Sequence, residues 1–210
     1  MSVICPTVTA LEAHTYRTQL ERIEGFAKRM HLDFMDGIFA PTRSVLPAQA
    51  YWPPAVQIDM HVMYKRPGEQ IDQLIHMGPD LVILHAEAEG ELLEMFTDLA
   101  AAGINTGVAF LQDTSAQDAQ LLIENVDHVL IFSGDLGKFG GKVDEALFAK
   151  IREVKEINPS VEIGWDGGVN AENVELLTRA GVDVLNVGGA IQKAANPQAA
   201  YGILENKIHQ

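Results

Sequence analysis

The stretch "HLDFMDG", His31 to Gly37, sets a histidine and two carboxylates among apolar neighbours. Read as a strand, it alternates its side chains between two faces. His31, Asp33 and Met35 then point one way, and Leu32, Phe34 and Asp36 the other. Polar groups inside a strand with apolar residues on both sides are expensive to bury. The fold has to give His31 and Asp33 something to face.

Outward from this stretch, short apolar, β-branched runs alternate with segments of helical period. The strands predicted are 3–8, 30–35, 56–63, 81–87, 105–111, 128–133, 161–166 and 182–188. Between them, "EQIDQLIHMG" places Ile71, Leu74 and Ile75 on one helix face. "ELLEMFTDLAAAG" ends at a C-capping glycine, Gly103, and "NAENVELLTRAG" runs from the N-cap candidate Asn170 to Gly181. "NPQAAYGILENKI" is the last helical pattern. Eight strands, each followed by a helix or a short substitute, predict one closed (β/α)8 barrel over residues 1–210. A doubly wound open sheet is the alternative, which the strand count and even spacing disfavour. The proline-rich segment 40–55 leaves room for at most a short helix.

The 210 residues suffice for one sizeable core, and 47% apolar content is that of a globular chain. A formal charge of −14 argues against nucleic acid, since the basic footprint is missing. It does not argue against a small anion, which backbone N–H groups can bind locally. One cysteine, Cys5, excludes an internal disulfide framework and a cysteine-rich metal site. With no secretory signal and no membrane-spanning run in view, the expectation is a cytoplasmic protein without a membrane partner.

In such a barrel, catalytic groups sit at the C-terminal ends of strands. The second strand offers His31 and Asp33 on one face. The third offers Asp59, His61 and Met63, and the seventh ends in Asp166. Two histidines and two carboxylates from different strands can converge on one divalent cation, with zinc, iron, manganese and cobalt all compatible. Equally, the histidines can be core residues bonded to backbone, with Asp33 and Asp166 capping turns. Glycine pairs follow three consecutive strands: Gly140–Gly141, Gly167–Gly168 and Gly188–Gly189. They let backbone N–H groups approach a phosphate closely, or else simply make tight turns. His85 and Glu87 share a face and can orient a neighbour. Met35 and Met63 belong to the core or the floor of a site, Trp165 packs between barrel and helices, and His14, His76, His128 and His209 read as solvated.

In combination, "CPT", "HLDFMDGIFAP", "DMHVM", "LHAEA", "FGGK", "WDGGVN" and "VGGAI" resemble the ribulose-phosphate 3-epimerase family, in order and across nearly the whole chain. The resemblance implies a (β/α)8 barrel, and a homo-oligomer, that acts on a phosphorylated ketose. It implies one divalent metal, by preference zinc, on His31, Asp33, His61 and Asp166. Asp33 and Asp166 are then also the acid/base pair that removes and returns the proton at C3, on opposite faces of an enediolate. The substrate-binding residues it implies are Thr7, where the family has a serine, His61, Gly140, Gly141, Lys142, Gly167, Gly168, Gly188 and Gly189.

Departures cluster around the substrate. Ile38 stands in place of a histidine, Phe132 of a methionine and Lys142 of a glutamine, while "FLQDTS" lacks a proline and the loop 133–142 is one residue longer. The default substrate pair is D-ribulose 5-phosphate and D-xylulose 5-phosphate. The alternatives are a ketohexose 6-phosphate such as allulose 6-phosphate, or a non-catalytic sugar-phosphate-binding barrel. Related barrels that decarboxylate carry D-x-K-x-x-D, whereas "HLDFMD" has no lysine.

Overall fold

The computed structural model describes residues 2–138 and 140–209. Its eight strands are β1 (Val3–Thr9), β2 (Arg29–Met35), β3 (Gln57–Met63), β4 (Leu81–His85), β5 (Asn105–Phe110), β6 (His128–Phe132), β7 (Glu162–Asp166) and β8 (Val184–Val187). They pair in sequence order, all parallel, and β8 closes on β1. The expected (β/α)8 barrel is therefore the observed fold.

The helices are α1 (Ala13–Glu21), α2 (Ile71–Met77), α3 (Leu92–Ala101), α4 (Gln120–Ile123), α5 (Phe148–Ile157), α6 (Val174–Ala180), α7 (Gly189–Gln192) and α8 (Pro197–Ile208). As expected, the proline-rich stretch after β2 supplies only a 3₁₀ turn, Pro47–Gln49. Asn170 opens the turn before α6 rather than the helix itself. Its side chain accepts from Glu172 N at 2.8 Å and its carbonyl from Val174 N at 3.0 Å. Gly181 ends α6 in the left-handed region, φ 100°, which glycine reaches without a Cβ clash.

Alternation along the strands separates two interiors. Leu32, Phe34, Met60, Val62, Leu185 and Val187 face outward into the large core beneath the helices. Trp165 belongs there too, fully buried and edge-on to Phe148 of α5 at 5.5 Å. The lumen holds a much smaller apolar cluster, Leu81, Ile83, Ala109 and Leu130. Most other inward positions are polar, among them Arg29, His31, Asp33, Asp59, His61, His85 and His128.

Among the described residues, no helix is long and apolar enough to cross a membrane.

Candidate active site

β2 and β3 run in register, with His31 opposite Asp59, Asp33 opposite His61 and Met35 opposite Met63. Their apolar alternates are taken up by the outer core, so these polar residues face the lumen. Asp166, at the tip of β7, completes a group with His31, Asp33 and His61 whose candidate ligand atoms all lie within 4.8 Å of one another. Asp33 Oδ1 is 3.1 Å from His61 Nδ1 and 3.2 Å from His31 Nε2. Asp166 Oδ2 is 3.9 Å from His61 Nδ1. The Thr9 hydroxyl donates to Asp33 Oδ2 at 2.5 Å and holds that carboxylate in place.

The two carboxyls are driven apart in acidity. Burial raises Asp166, the Asp33 charge beside it adds to this, and it is pushed up to about 7. Burial would raise Asp33 as well, but the close contacts of its Oδ1 with the His31 and His61 imidazoles outweigh it and hold Asp33 below the usual carboxylate range. Burial pushes His61 down to about 3. Without a cation between them the two carboxyls differ in acidity, as a proton acceptor and a proton donor must.

The donor set fits a divalent cation. Among the described residues the ion-pair contacts of Asp33 and Asp166 are to histidines alone, with no lysine or arginine opposite them. His31 is fully buried, yet neither ring nitrogen has a well-formed hydrogen bond. Buried imidazole lone pairs and unneutralised carboxylates are costly without a ligand, and nitrogen plus oxygen donors suit zinc, iron, manganese or cobalt.

Behind the cluster, His61 Nε2 lies 2.9 Å from His85 Nε2. His85 Nδ1 faces Glu87 Oε2 at 3.5 Å. Glu87 accepts from Leu111 N at 2.8 Å and from the Thr114 hydroxyl. Despite partial burial, the nearby His85 imidazole and the hydrogen bonds from Thr114 and Leu111 hold its carboxyl at about 2. An ionised Glu87 favours a proton on His85 Nδ1. His85 Nε2 would then accept from His61 Nε2–H, which frees the His61 Nδ1 lone pair for a cation in place of its contact with Asp33 Oδ1.

A cavity of about 800 Å³ opens above these groups. Asp33, Asp166, Thr7, Met35, Met63 and Phe132 line its inner part, so both methionines floor the site. Phe132, with its ring 5.9 Å from those of His61 and His85, covers the histidines. His31 and His61, at 0% exposure, lie beneath this lining. Arg22, Lys138 and Lys193 bring positive charge to the cavity wall in an otherwise acidic protein.

All six glycines of the three pairs line the cavity, but for different reasons. Gly167 and Gly168 sit at φ 119° and 75°, and a Cβ there would lie 2.7 Å from Gly134 N and 2.6 Å from Lys142 C. Backbone packing between the loops after β6 and β7 demands them. Gly188 and Gly189 have room for a Cβ, with nearest neighbours at 3.7 and 4.0 Å. There the missing side chain leaves backbone at the start of α7 open to a ligand. Gly140 and Gly141 belong to the long loop after β6, in which Phe139 lies outside the described residues. The Lys142 side chain is exposed and lies outside the cavity lining, and its carbonyl accepts from the Ser133 hydroxyl at 2.8 Å.

Two departures from the sequence reading concern single residues. His128 is not solvated: it opens β6, is 1% exposed, and its Nδ1 lies 2.8 Å from Glu162. Gly164 makes space for it, since a Cβ there would lie 2.4 Å from His128 Nε2. Asn186 of β8 lines the cavity and was missed, although a lone polar residue in "VLNVG" was the available signal. Ile38, by contrast, is 63% exposed and lies outside the cavity lining.

Comparison with known proteins resolves what class of barrel this is. The profile of the ribulose-phosphate 3 epimerase family matches residues 3–192. The chain belongs to the ribulose-phosphate 3-epimerase family. Ribulose-phosphate 3-epimerase of Mycobacterium leprae is 30% identical over 216 residues, covering 98% of this chain and 94% of its own. That of Bacillus subtilis is 28% identical over 200 residues, covering 91% and 92%. Among solved structures, KGPDC from Streptococcus mutans superposes with a TM-score of 0.78 at 12% identity, covering 100% of this chain and 98% of its own. A 3-hexulose-6-phosphate synthase does so at 0.72 and 18%, covering 98% and 99%. At such identities these two share the fold. Family membership and the clustered histidines and aspartates together make this an isomerase-type enzyme of the ribulose-phosphate-binding barrels.

Proposed function

We propose that the protein is a metal-dependent ketose-phosphate 3-epimerase that interconverts D-ribulose 5-phosphate and D-xylulose 5-phosphate, with zinc on His31, Asp33, His61 and Asp166. The observation that carries this reading is the convergence of His31, Asp33, His61 and Asp166, two histidines and two carboxyls whose candidate ligand atoms lie within 4.8 Å of one another. Asp33 takes the C3 proton and Asp166 returns one to the opposite face; the roles exchange in the reverse direction. A bound divalent cation supplies the charge stabilisation that makes a proton α to a carbonyl acidic enough to remove. Phe132, Met35 and Met63 keep water from the reacting carbon. The phosphate is assigned to backbone N–H groups at Gly188 and Gly189, assisted by Gly167 and Gly168 and by the Gly140–Gly141 loop, with Thr7 between phosphate and cluster.

The test is turnover of pentulose and hexulose phosphates side by side, by chelated enzyme and by enzyme reconstituted with zinc, in deuterated solvent. The expected result is zinc-dependent epimerisation fastest on the pentulose, with deuterium entering C3. Faster turnover of the hexulose phosphate would move the substrate assignment to allulose 6-phosphate or a similar ketohexose. Binding without turnover of any ketose phosphate would make the barrel a sugar-phosphate binder and overturn the reading.

A further inference from the structure

β8 is apolar and fully buried except for one residue. Val184, Leu185 and Val187 are at 0% exposure, and between them Asn186 is at 2%. Alternation sends Leu185 and Val187 into the outer core and Asn186 into the lumen. Neither Oδ1 nor Nδ2 of Asn186 has a hydrogen-bond partner among the described residues. A buried amide with nothing to bond is expensive, and in a native protein it calls for an explanation. The Thr7 hydroxyl, 3% exposed, is unpartnered as well.

Position narrows the explanation. Asn186 stands in register beside Asp166 on one side and Cys5 on the other. It comes two residues before Gly188, roughly 6–7 Å along the strand. Gly188 in turn lies against Thr7, whose Cβ would be 3.7 Å from a Cβ placed there. Asn186 therefore sits between the proton-transferring carboxyl and the backbone assigned to phosphate. Its side chain carries an acceptor and a donor on one end. An anion can use only the Nδ2 donors, and Oδ1 would face it unfavourably. A neutral hydroxyl uses both.

We propose that Asn186 is a specificity-determining residue that reads the substrate hydroxyl lying between the reacting carbon and the phosphate, the 4-hydroxyl of a ketopentose 5-phosphate. This rests on the ketose-phosphate reading above. A site built to bond a hydroxyl discriminates strongly against a ligand that lacks it, because its polar atoms are then left buried and unpaired.

The experiment is calorimetric binding of a ketopentose 5-phosphate and of its 4-deoxy analogue to the metal-loaded wild type and to Asn186→Leu, with metal content and melting temperature measured in parallel. Wild type is expected to bind the deoxy compound roughly 10- to 100-fold more weakly. Asn186→Leu should lose about the same factor for the intact sugar, bind the two compounds within about 3-fold of each other, and keep its metal. Asn186→Ala, which leaves space rather than adding bulk, is read in the same way if the leucine variant does not fold. Equal binding of both compounds by wild type overturns the proposal. So does a variant that keeps the wild-type discrimination, or one that weakens both compounds equally, as loss of a structural water would. Discriminating binding without epimerisation would sink the epimerase reading and leave this one standing. Epimerisation without discrimination would do the reverse.

Discussion

Where the strands of the barrel begin, Arg29 donates to Asp59 at 2.7 Å and to both oxygens of Glu162 at 2.9 and 2.8 Å, and Glu162 also holds His128 at 2.8 Å. Where the strands end, His31, His61, Asp33 and Asp166 meet with no arginine or lysine among their ion-pair contacts in the described residues. Both ends bury carboxylates and histidines in the same lumen. One end carries its own cation and fork-like hydrogen bonds; the other leaves carboxylates uncompensated and both His31 nitrogens without well-formed partners. Buried charge of the first kind closes the floor of a barrel. Buried charge of the second kind is tolerated only where a ligand completes it.

This contrast breaks most visibly at the open end. Asp166→Asn keeps an oxygen ligand but removes the titrating carboxyl. Turnover of the ketose phosphate should fall by about 10²–10⁴-fold or more, with melting temperature in the presence of zinc changed little. Near-normal turnover with metal retained would mean that Asp166 moves no proton.

The closed end should respond in stability instead. Arg29→Met strands Asp59, 1% exposed, without its cation. Breaking a buried pair from one side costs about 3–5 kcal/mol, read from chemical denaturation. Zinc affinity should remain that of the wild type. A loss of zinc binding without a loss of stability would erase the distinction between the ends.

A smaller effect is expected behind the cluster. Glu87→Gln weakens the selection of the His85 tautomer that leaves the His61 Nδ1 lone pair toward the metal. Zinc affinity, measured by competition with a chelator, should drop about 10- to 100-fold. An unchanged affinity would show that the His61–His85 contact is packing alone.

The smallest effect concerns pH. Burial opposes ionisation of Glu162, but His128 and Arg29 outweigh it and hold the carboxyl at about 2. Because the folded value lies below the unfolded one, the stabilisation is present above about pH 4.5 and is lost as pH falls toward 2. Glu162 is partly exposed, so after solvent screening about 1 kcal/mol is expected. Glu162→Gln should flatten the acid limb of the stability profile between those values, and an unchanged limb would show that Glu162 contributes no pH-linked stability.

The amino-acid sequence by itself determined the strand count, the faces of β2 and β3, the outward packing of Trp165 and the residues able to meet at the open end. The count follows from short apolar, β-branched runs and the rest from alternation with a period of two, and both signals are local. Whether the glycines after β7 and β8 shared one purpose was not legible, because the demand on Gly167 and Gly168 comes from a loop that approaches them from β6. Asp59 shares a face with His61, and nothing along β3 says that it pairs downward with Arg29 rather than joining the histidines. The tertiary structure decided that, along with the burial of His128 beneath Gly164 and the placement of Asn186 beside Asp166. Each depends on the stagger with which eight strands close into a barrel, and that stagger sets which inward residues from distant strands share a layer.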